Sequence, residues 1–132
     1  MNEVFNFLKE NQTFYIVTVE DGKPRVRPFG FIMEYDGKIY FRTNNTKNVY
    51  KQLKQNADFE ITATSAKYEW IRLKGKTVFD SNLAAKTKTF EVAPFLADMY
   101  KTPDNPIFEV FYIQDGEATT YSMKEEPKKI KL

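Results

Sequence analysis

Neither cysteine nor histidine occurs among the 132 residues. Without cysteine there is no disulfide framework, no thiol nucleophile and no cysteine metal site. Without histidine there is no imidazole base, no Ser-His-Asp triad and no histidine ligand for zinc or haem. Any redox chemistry must therefore be carried by a bound cofactor. Long apolar runs are missing as well, and none approaches the roughly 20 residues that cross a bilayer. The N-terminus, MNEVFNFLKEN, carries glutamates and no basic-then-apolar order. It does not read as a signal peptide, so a cytoplasmic protein with no membrane partner is expected. Charge of one sign is nowhere concentrated: 20 Lys and Arg are interspersed with 18 Asp and Glu, for a net charge of +2. That argues against a general nucleic-acid binder and leaves room for a local anion site.

What is present suits one folded domain over residues 1–132, with a charged tail at 124–132. Hydrophobic residues make up 42% and charged residues 29%, the balance of an ordinary globular chain. The 12 Phe and 8 Tyr suit a small barrel whose strands need bulky filling. Asn2 to Glu10 reads as a short helix with an apolar stripe of Val4, Phe7 and Leu8. Thr13 to Glu20 reads as a strand turned back by Asp21-Gly22. Pro24 and Pro28 flank Arg25 and Arg27, and because proline donates nothing to a ladder, this strand should be an edge, bulge or bend. Phe29 to Tyr35 is apolar on both faces, as in a strand of a closed barrel. Phe59 to Thr64 and Tyr68 to Phe79 form a further hairpin. Asp80-Ser81-Asn82 caps a third helix, which Pro94 breaks before a short turn at Phe95 to Tyr100. Ile107 to Ile113 and Glu117 to Met123 are expected to form a last hairpin around Gln114-Asp115-Gly116. The tail, 124–132, is either poorly ordered or a short edge segment. Hairpins with short turns and helices inserted at two points predict a mainly β fold, an antiparallel barrel with peripheral helices.

The stretch Arg25 to Leu53 organises the rest. Asp36-Gly37 joins two strand-like runs, and Thr43-Asn44-Asn45-Thr46-Lys47 then feeds a helix opening at Asn48. A helix start carries unpaired N–H groups and a partial positive charge, which favour an anion. Lys47 adds a full charge, Thr43 and Thr46 add hydroxyls, and Arg25 and Arg27 share one face of the earlier strand. Singly, Asn45 or Thr46 reads as an N-cap and Lys47 as a solvated side chain. Together they predict a phosphate site.

RVRPF, then DGKIYFRTNNTKN, then the helix VYKQLKQN and the strand ADFEITA resemble the flavin-binding split barrel of the pyridoxamine 5′-phosphate oxidase-like superfamily. The likeness runs from the N-terminal helix to about Tyr121, and small stand-alone members such as the Nim-type nitroimidazole-resistance proteins are the nearer relatives. The resemblance implies an antiparallel split β-barrel that binds FMN non-covalently at a homodimer interface. It matches Arg27, Thr43, Thr46 and Lys47 to the family's phosphate-binding motif, with Arg25, Pro28, Asn44 and Asn45 flanking it. It also implies that the strand of Trp70 and Arg72 approaches the flavin in the dimer, although a lone tryptophan is more often core or interface filler.

Departures from the family pattern matter too. Where larger relatives carry an arginine and a lysine after the loop, this chain has Lys47 and Asn48, and Ile32 replaces a second lysine. Fewer charges would neutralise the phosphate. The C-terminus, KEEPKKIKL, lacks the arginine and histidine of true pyridoxamine-phosphate oxidases, and the active-site histidine of Nim-type relatives is also missing. Three functions remain open. The first is an FMN-dependent oxidoreductase acting on a small molecule, with NAD(P)H as a candidate reductant. The second is a flavin carrier or sensor without turnover. The third is a single-strand nucleic-acid binder, with Phe29, Phe31, Tyr40 and Phe41 as stacking platforms and Arg25, Arg27 and Arg42 as a basic track.

Overall fold

Two Asp-Gly pairs set the first half of the fold. Both residues have positive φ at Asp21-Gly22 (52° and 73°) and at Asp36-Gly37 (51° and 71°). This is the pair of left-handed conformations that a tight hairpin matching strand twist demands. The first turn joins β1 (Phe14–Glu20) to β2 (Lys23–Phe29), and the second joins β3 (Met33–Tyr35) to β4 (Lys38–Asn44). The structure is a computed structural model and describes residues 1–132.

Four further strands, β5 (Asp58–Thr64), β6 (Trp70–Asp80), β7 (Phe108–Tyr121) and β8 (Lys128–Lys131), complete one antiparallel sheet. The order is β2-β1-β5-β6-β7-β4-β3, with β8 added to β7. The sheet does not close: β2 and β3 are its two ends, so the architecture is a split barrel. Around it lie α1 (Asn2–Glu10), α2 (Asn48–Gln55), α3 (Leu83–Val92) and the short α4 (Leu96–Tyr100).

The prolines of β2 fall on an edge strand, where a missing N–H costs the ladder least. The run Phe29 to Tyr35, read as one strand, is not one. Phe29 ends β2 opposite Phe14 and only Met33–Tyr35 pairs with β4, because the chain between β2 and β3 must pass from one end of the open sheet to the other. Gly30, Phe31 and Ile32 make that passage outside the ladder.

The last hairpin is also corrected. Residues 108–121 form a single long strand that pairs with β4 at its start and with β6 along nearly its whole length. Asp115, read as a turn residue, does have positive φ (55°). It serves a bend rather than a reversal, beside a register shift between Lys74 and Lys76. Gly75 lies inside that shift, and a Cβ there would come within 2.5 Å of Ile113. The bend therefore needs glycine at that place. The charged tail forms the edge strand β8, held on β7, with the Leu132 N–H donating to the Gly116 carbonyl at 2.9 Å.

Two apolar clusters hold the sheet. Phe14, Ile16, Phe41, Ile61, Leu73 and Phe111 fill the barrel interior, with Val4 and Leu8 of α1 and Val49 and Leu53 of α2 packed in. Met33, Tyr40, Val110 and Phe108 on the outer side meet Ala85, Leu96 and Tyr100 of α3 and α4. Strand β4 is covered on both faces, which accounts for its apolar run. Each fully buried Phe contributes roughly 1.5–3 kcal/mol. Phe41 and Tyr40 are almost inaccessible, so neither is a platform for a nucleic-acid base.

Candidate functional site

The passage across the open end of the barrel creates a cleft. The end of β2, the Gly30-Phe31 crossing, the end of β4 and the start of α2 enclose a cavity of about 150 Å³. Nine residues line it: Arg27, Pro28, Phe29, Gly30, Phe31, Arg42, Thr43, Lys47 and Val49. Three are cations and none is acidic.

Its buried polar atoms decide what it can hold. Only three buried side-chain nitrogen or oxygen atoms in the protein lack a hydrogen-bond partner; Thr43 Oγ1 is on the interior face of β4 with Phe41, whereas Arg42 Nε is on the opposite face, towards Phe95. Leaving such groups unpaired costs about 1–3 kcal/mol each, more for a charged one. Thr43 is only 2% exposed. The Arg42 guanidinium lies 5.6 Å from the ring centroid of Phe95, and burial lowers its pKa from the usual arginine value against an opposing effect of Tyr100.

Helix α2 opens at the cavity without a side-chain cap. The residue at the cap position is Lys47, with extended backbone (φ −85°, ψ 151°). Asn45 and Thr46, the residues expected as caps, are engaged elsewhere. Asn44 Oδ1 accepts the Thr46 N–H at 3.1 Å and the Thr46 hydroxyl at 2.6 Å, while its amide donates to the Tyr100 hydroxyl at 3.0 Å. Asn45 donates to the Pro106 carbonyl and to Glu109, both at 2.9 Å. The first N–H groups of α2 are thus left to face the cleft.

Arg27 reaches the cavity from β2. Its Nη1 donates to Thr18 Oγ1 at 2.8 Å and its Nη2 to Gln52 Oε1 at 2.5 Å. Burial lowers its pKa, opposed by the charge of Glu20. Arg25, two residues back, is exposed and pairs with Glu20 at 3.4 Å.

The expected site residues therefore divide. Arg27, Pro28, Thr43 and Lys47 come together at the cavity. Asn44, Asn45 and Thr46 brace the loop without lining the cavity, and Arg25 lies outside it, paired with Glu20. Trp70 and Arg72 lie elsewhere, on the outer face of β1–β5–β6, where a hollow of 390 Å³ is bordered by Val17, Glu60, Thr62 and these two residues. The Trp70 ring stacks on Tyr121 at 3.9 Å and 11°, and Arg72 lies 5.3 Å from both ring centroids. A larger hollow of 410 Å³ beside Val19, Phe59 and Gly75 is open and holds no unpartnered buried donor. Size alone does not mark the site here. The lining residues that the sequence does not assign to the phosphate site are Phe29, Gly30, Phe31, Val49 and above all Arg42, of which Phe29, Phe31 and Arg42 read only as parts of a nucleic-acid track. The signal of Arg42 was a charged residue inside a strand otherwise apolar on both faces.

The sequence matches the family model described as pyridoxamine 5′-phosphate oxidase over residues 1–122. The chain belongs to the pyridoxamine 5′-phosphate oxidase family. Within that family's structures, a NimC/NimA family protein from Clostridium acetobutylicum superposes with a TM-score of 0.95 at 42% identity. The match covers 100% of this chain and 92% of that one. A protein from the same organism, related to general stress protein 26 of B. subtilis, has a TM-score of 0.72 at 19% identity, covering 96% of this chain and 91% of that one. An FAD-binding protein from Mesorhizobium loti has a TM-score of 0.59 at 14% identity, covering 92% and 94%. These last two share the fold. No curated protein matches the sequence. No helix is long and apolar enough to cross a membrane.

Proposed function

We propose that this protein binds FMN non-covalently, with the phosphate in the Arg27–Arg42–Thr43–Lys47 cavity, and acts on a small molecule as a cytoplasmic oxidoreductase. The observation that carries the reading is the buried, unpartnered Thr43 Oγ1 in a cavity lined by three cations and no acid. A phosphate monoester satisfies the Thr43 hydroxyl and takes the unpaired N–H groups of α2. Arg42 also supplies the charge that the sequence lacks at Asn48 and Ile32. The cavity takes a phosphate but is too small for a flavin ring, which must extend outward past Phe29 and Phe31.

When bound, FMN supplies the ring that accepts and passes on hydride or electrons. The chain's own residues bind and orient it. Arg27 and Lys47 hold the phosphate charge, Thr43 donates its hydroxyl, and the Phe29 and Phe31 side chains exclude water from the cleft. With neither histidine nor cysteine, the protein has no histidyl or cysteinyl flavin link and offers no imidazole proton donor. Proton delivery falls to water or to a tyrosine such as Tyr121.

The working form in this reading is a homodimer. Tyr15 is 47% exposed and Val26 65% exposed on the outer face of β1 and β2, where Val17 adds to the apolar surface. A second copy covers such a face economically and brings a Trp70–Arg72 surface to the other copy's flavin. Steady-state oxidation of NAD(P)H by FMN-loaded protein, with nitro compounds or quinones as acceptors, tests the enzyme reading. Turnover is the expected result. Tight FMN binding with no turnover against any acceptor class would instead make the protein a flavin carrier.

A further inference from the structure

Arg27 is held by a clamp that carries no charge. Thr18 is fully buried and Gln52 is only 4% exposed. Thr18 Oγ1 donates to Gln52 Oε1 at 2.5 Å and accepts from Arg27 Nη1 at 2.8 Å. Gln52 Oε1 accepts a second time, from Arg27 Nη2 at 2.5 Å. Every donor in this triangle meets an acceptor, which fixes the amide orientation of Gln52. The Gln52 amide then donates to Glu20 Oε2 at 3.3 Å, and Glu20 Oε1 faces Arg25 at 3.4 Å. Both oxygens of the nearest carboxylate are therefore turned to groups other than Arg27. The Nε–H and one Nη2–H of Arg27 have no acceptor within the protein.

Buried arginines are ordinarily paired with a carboxylate. Here neutral oxygens do the orienting, Thr18 Oγ1 and Gln52 Oε1 with the Ile16 and Arg25 carbonyls at 3.4 Å from Nη1, so the positive charge is aimed with no carboxylate bonded to it. The helix that supplies Gln52 also supplies Lys47 and Val49 to the cavity. One helix thus sets the position of two of the three cations, although Arg27 belongs to the edge strand β2.

We propose that Gln52, with Thr18, is the positioning residue that presents Arg27 as an un-neutralised cation and thereby sets the site's preference for a phosphate monoester over its uncharged counterpart. The inference rests on the FMN-binding reading above and adds to it the origin of selectivity. A glutamate at 52 would keep an oxygen acceptor for Arg27 but cancel its charge. A methionine would fill the same volume and release the guanidinium.

The test compares FMN with riboflavin, which shares the ring and lacks the phosphate. Both are titrated by flavin fluorescence against the full chain and against Gln52→Glu, Gln52→Met, Thr18→Val and Thr18→Ser, with the flavin-free melting temperature measured for each. Wild type should prefer FMN by about 100-fold or more, as several charge-assisted bonds imply. Gln52→Glu should lower that preference by about 10-fold or more with little change in riboflavin affinity. Gln52→Met should lower it too, which keeps the test intact where a buried glutamate prevents folding. Thr18→Ser should keep the preference and Thr18→Val reduce it. A purely structural role would shift melting temperature and move both affinities together. An FMN preference unchanged in the folded Gln52 variants overturns the positioning role and leaves the flavin site standing. Wild type binding neither flavin, or both equally, overturns the phosphate reading and this inference with it.

Discussion

The Arg42 guanidinium sits over the ring of Phe95 at 5.6 Å, while its Nε is sealed from solvent without an acceptor. Contact with Phe95 thus holds a cation where burial penalises its charge. The pKa is lowered in the fold, so folding works against the charged state at every pH below that value. Across the neutral range the buried charge of Arg42 costs stability, offset in part by its contact with Phe95. Arg42→Leu should raise the flavin-free melting temperature between about pH 5 and 9 and weaken FMN binding by about 10-fold. Calorimetry and fluorescence titration read the two effects. A lower melting temperature with unchanged affinity would make Arg42 a structural residue.

Lys47 makes the complementary case. It is exposed and carries no side-chain bond within the protein, so Lys47→Ala should leave the melting temperature unchanged. FMN affinity should fall by about 10-fold, the low end for a charge-assisted bond because solvent screens the charge. The salt dependence of binding should flatten with it. Equal titration curves for the two proteins would remove Lys47 from the site.

How much of this was legible in the sequence follows from the range of each interaction. The Asp-Gly hairpins, the helix at Asn48 and the proline edge strand depend on neighbours in the chain, and they stand where the sequence places them. The long strand through Asp115 does not read as a strand. Its partner glycine, Gly75, lies some 40 residues earlier, and only pairing with β6 distinguishes a bend from a reversal. At the site, Arg27, Thr43 and Lys47 were legible from residue type and spacing. The uncapped start of α2 was not, because Asn44 takes Thr46 for itself. Arg42 was hidden because its meaning comes from α4, brought in by tertiary packing.

The Trp70 surface gives a prediction about potential. Arg72 is exposed above the Trp70–Tyr121 stack and has no carboxylate within salt-bridge distance. A positive charge near the pyrimidine end of a flavin stabilises its reduced anion. Arg72→Leu should therefore lower the midpoint potential of bound FMN, and it should cost less affinity than Lys47→Ala does. An unchanged potential and rate would mean that this strand never meets the ring.

The apolar outer face of β1 and β2 predicts an assembly. Val26→Glu adds a charge at a position 65% exposed in the single chain. It should leave the fold intact and shift sedimentation from dimer to monomer at micromolar concentration. A wild type that sediments as a monomer with flavin bound would contradict the shared site.

The location of the phosphate tests the central claim most directly, and a crystal structure of the protein grown with FMN measures it. The phosphate should lie within about 3 Å of Thr43 Oγ1, with Arg27 and Lys47 beside it. A phosphate bound elsewhere, with Thr43 Oγ1 still unpartnered, would contradict the account.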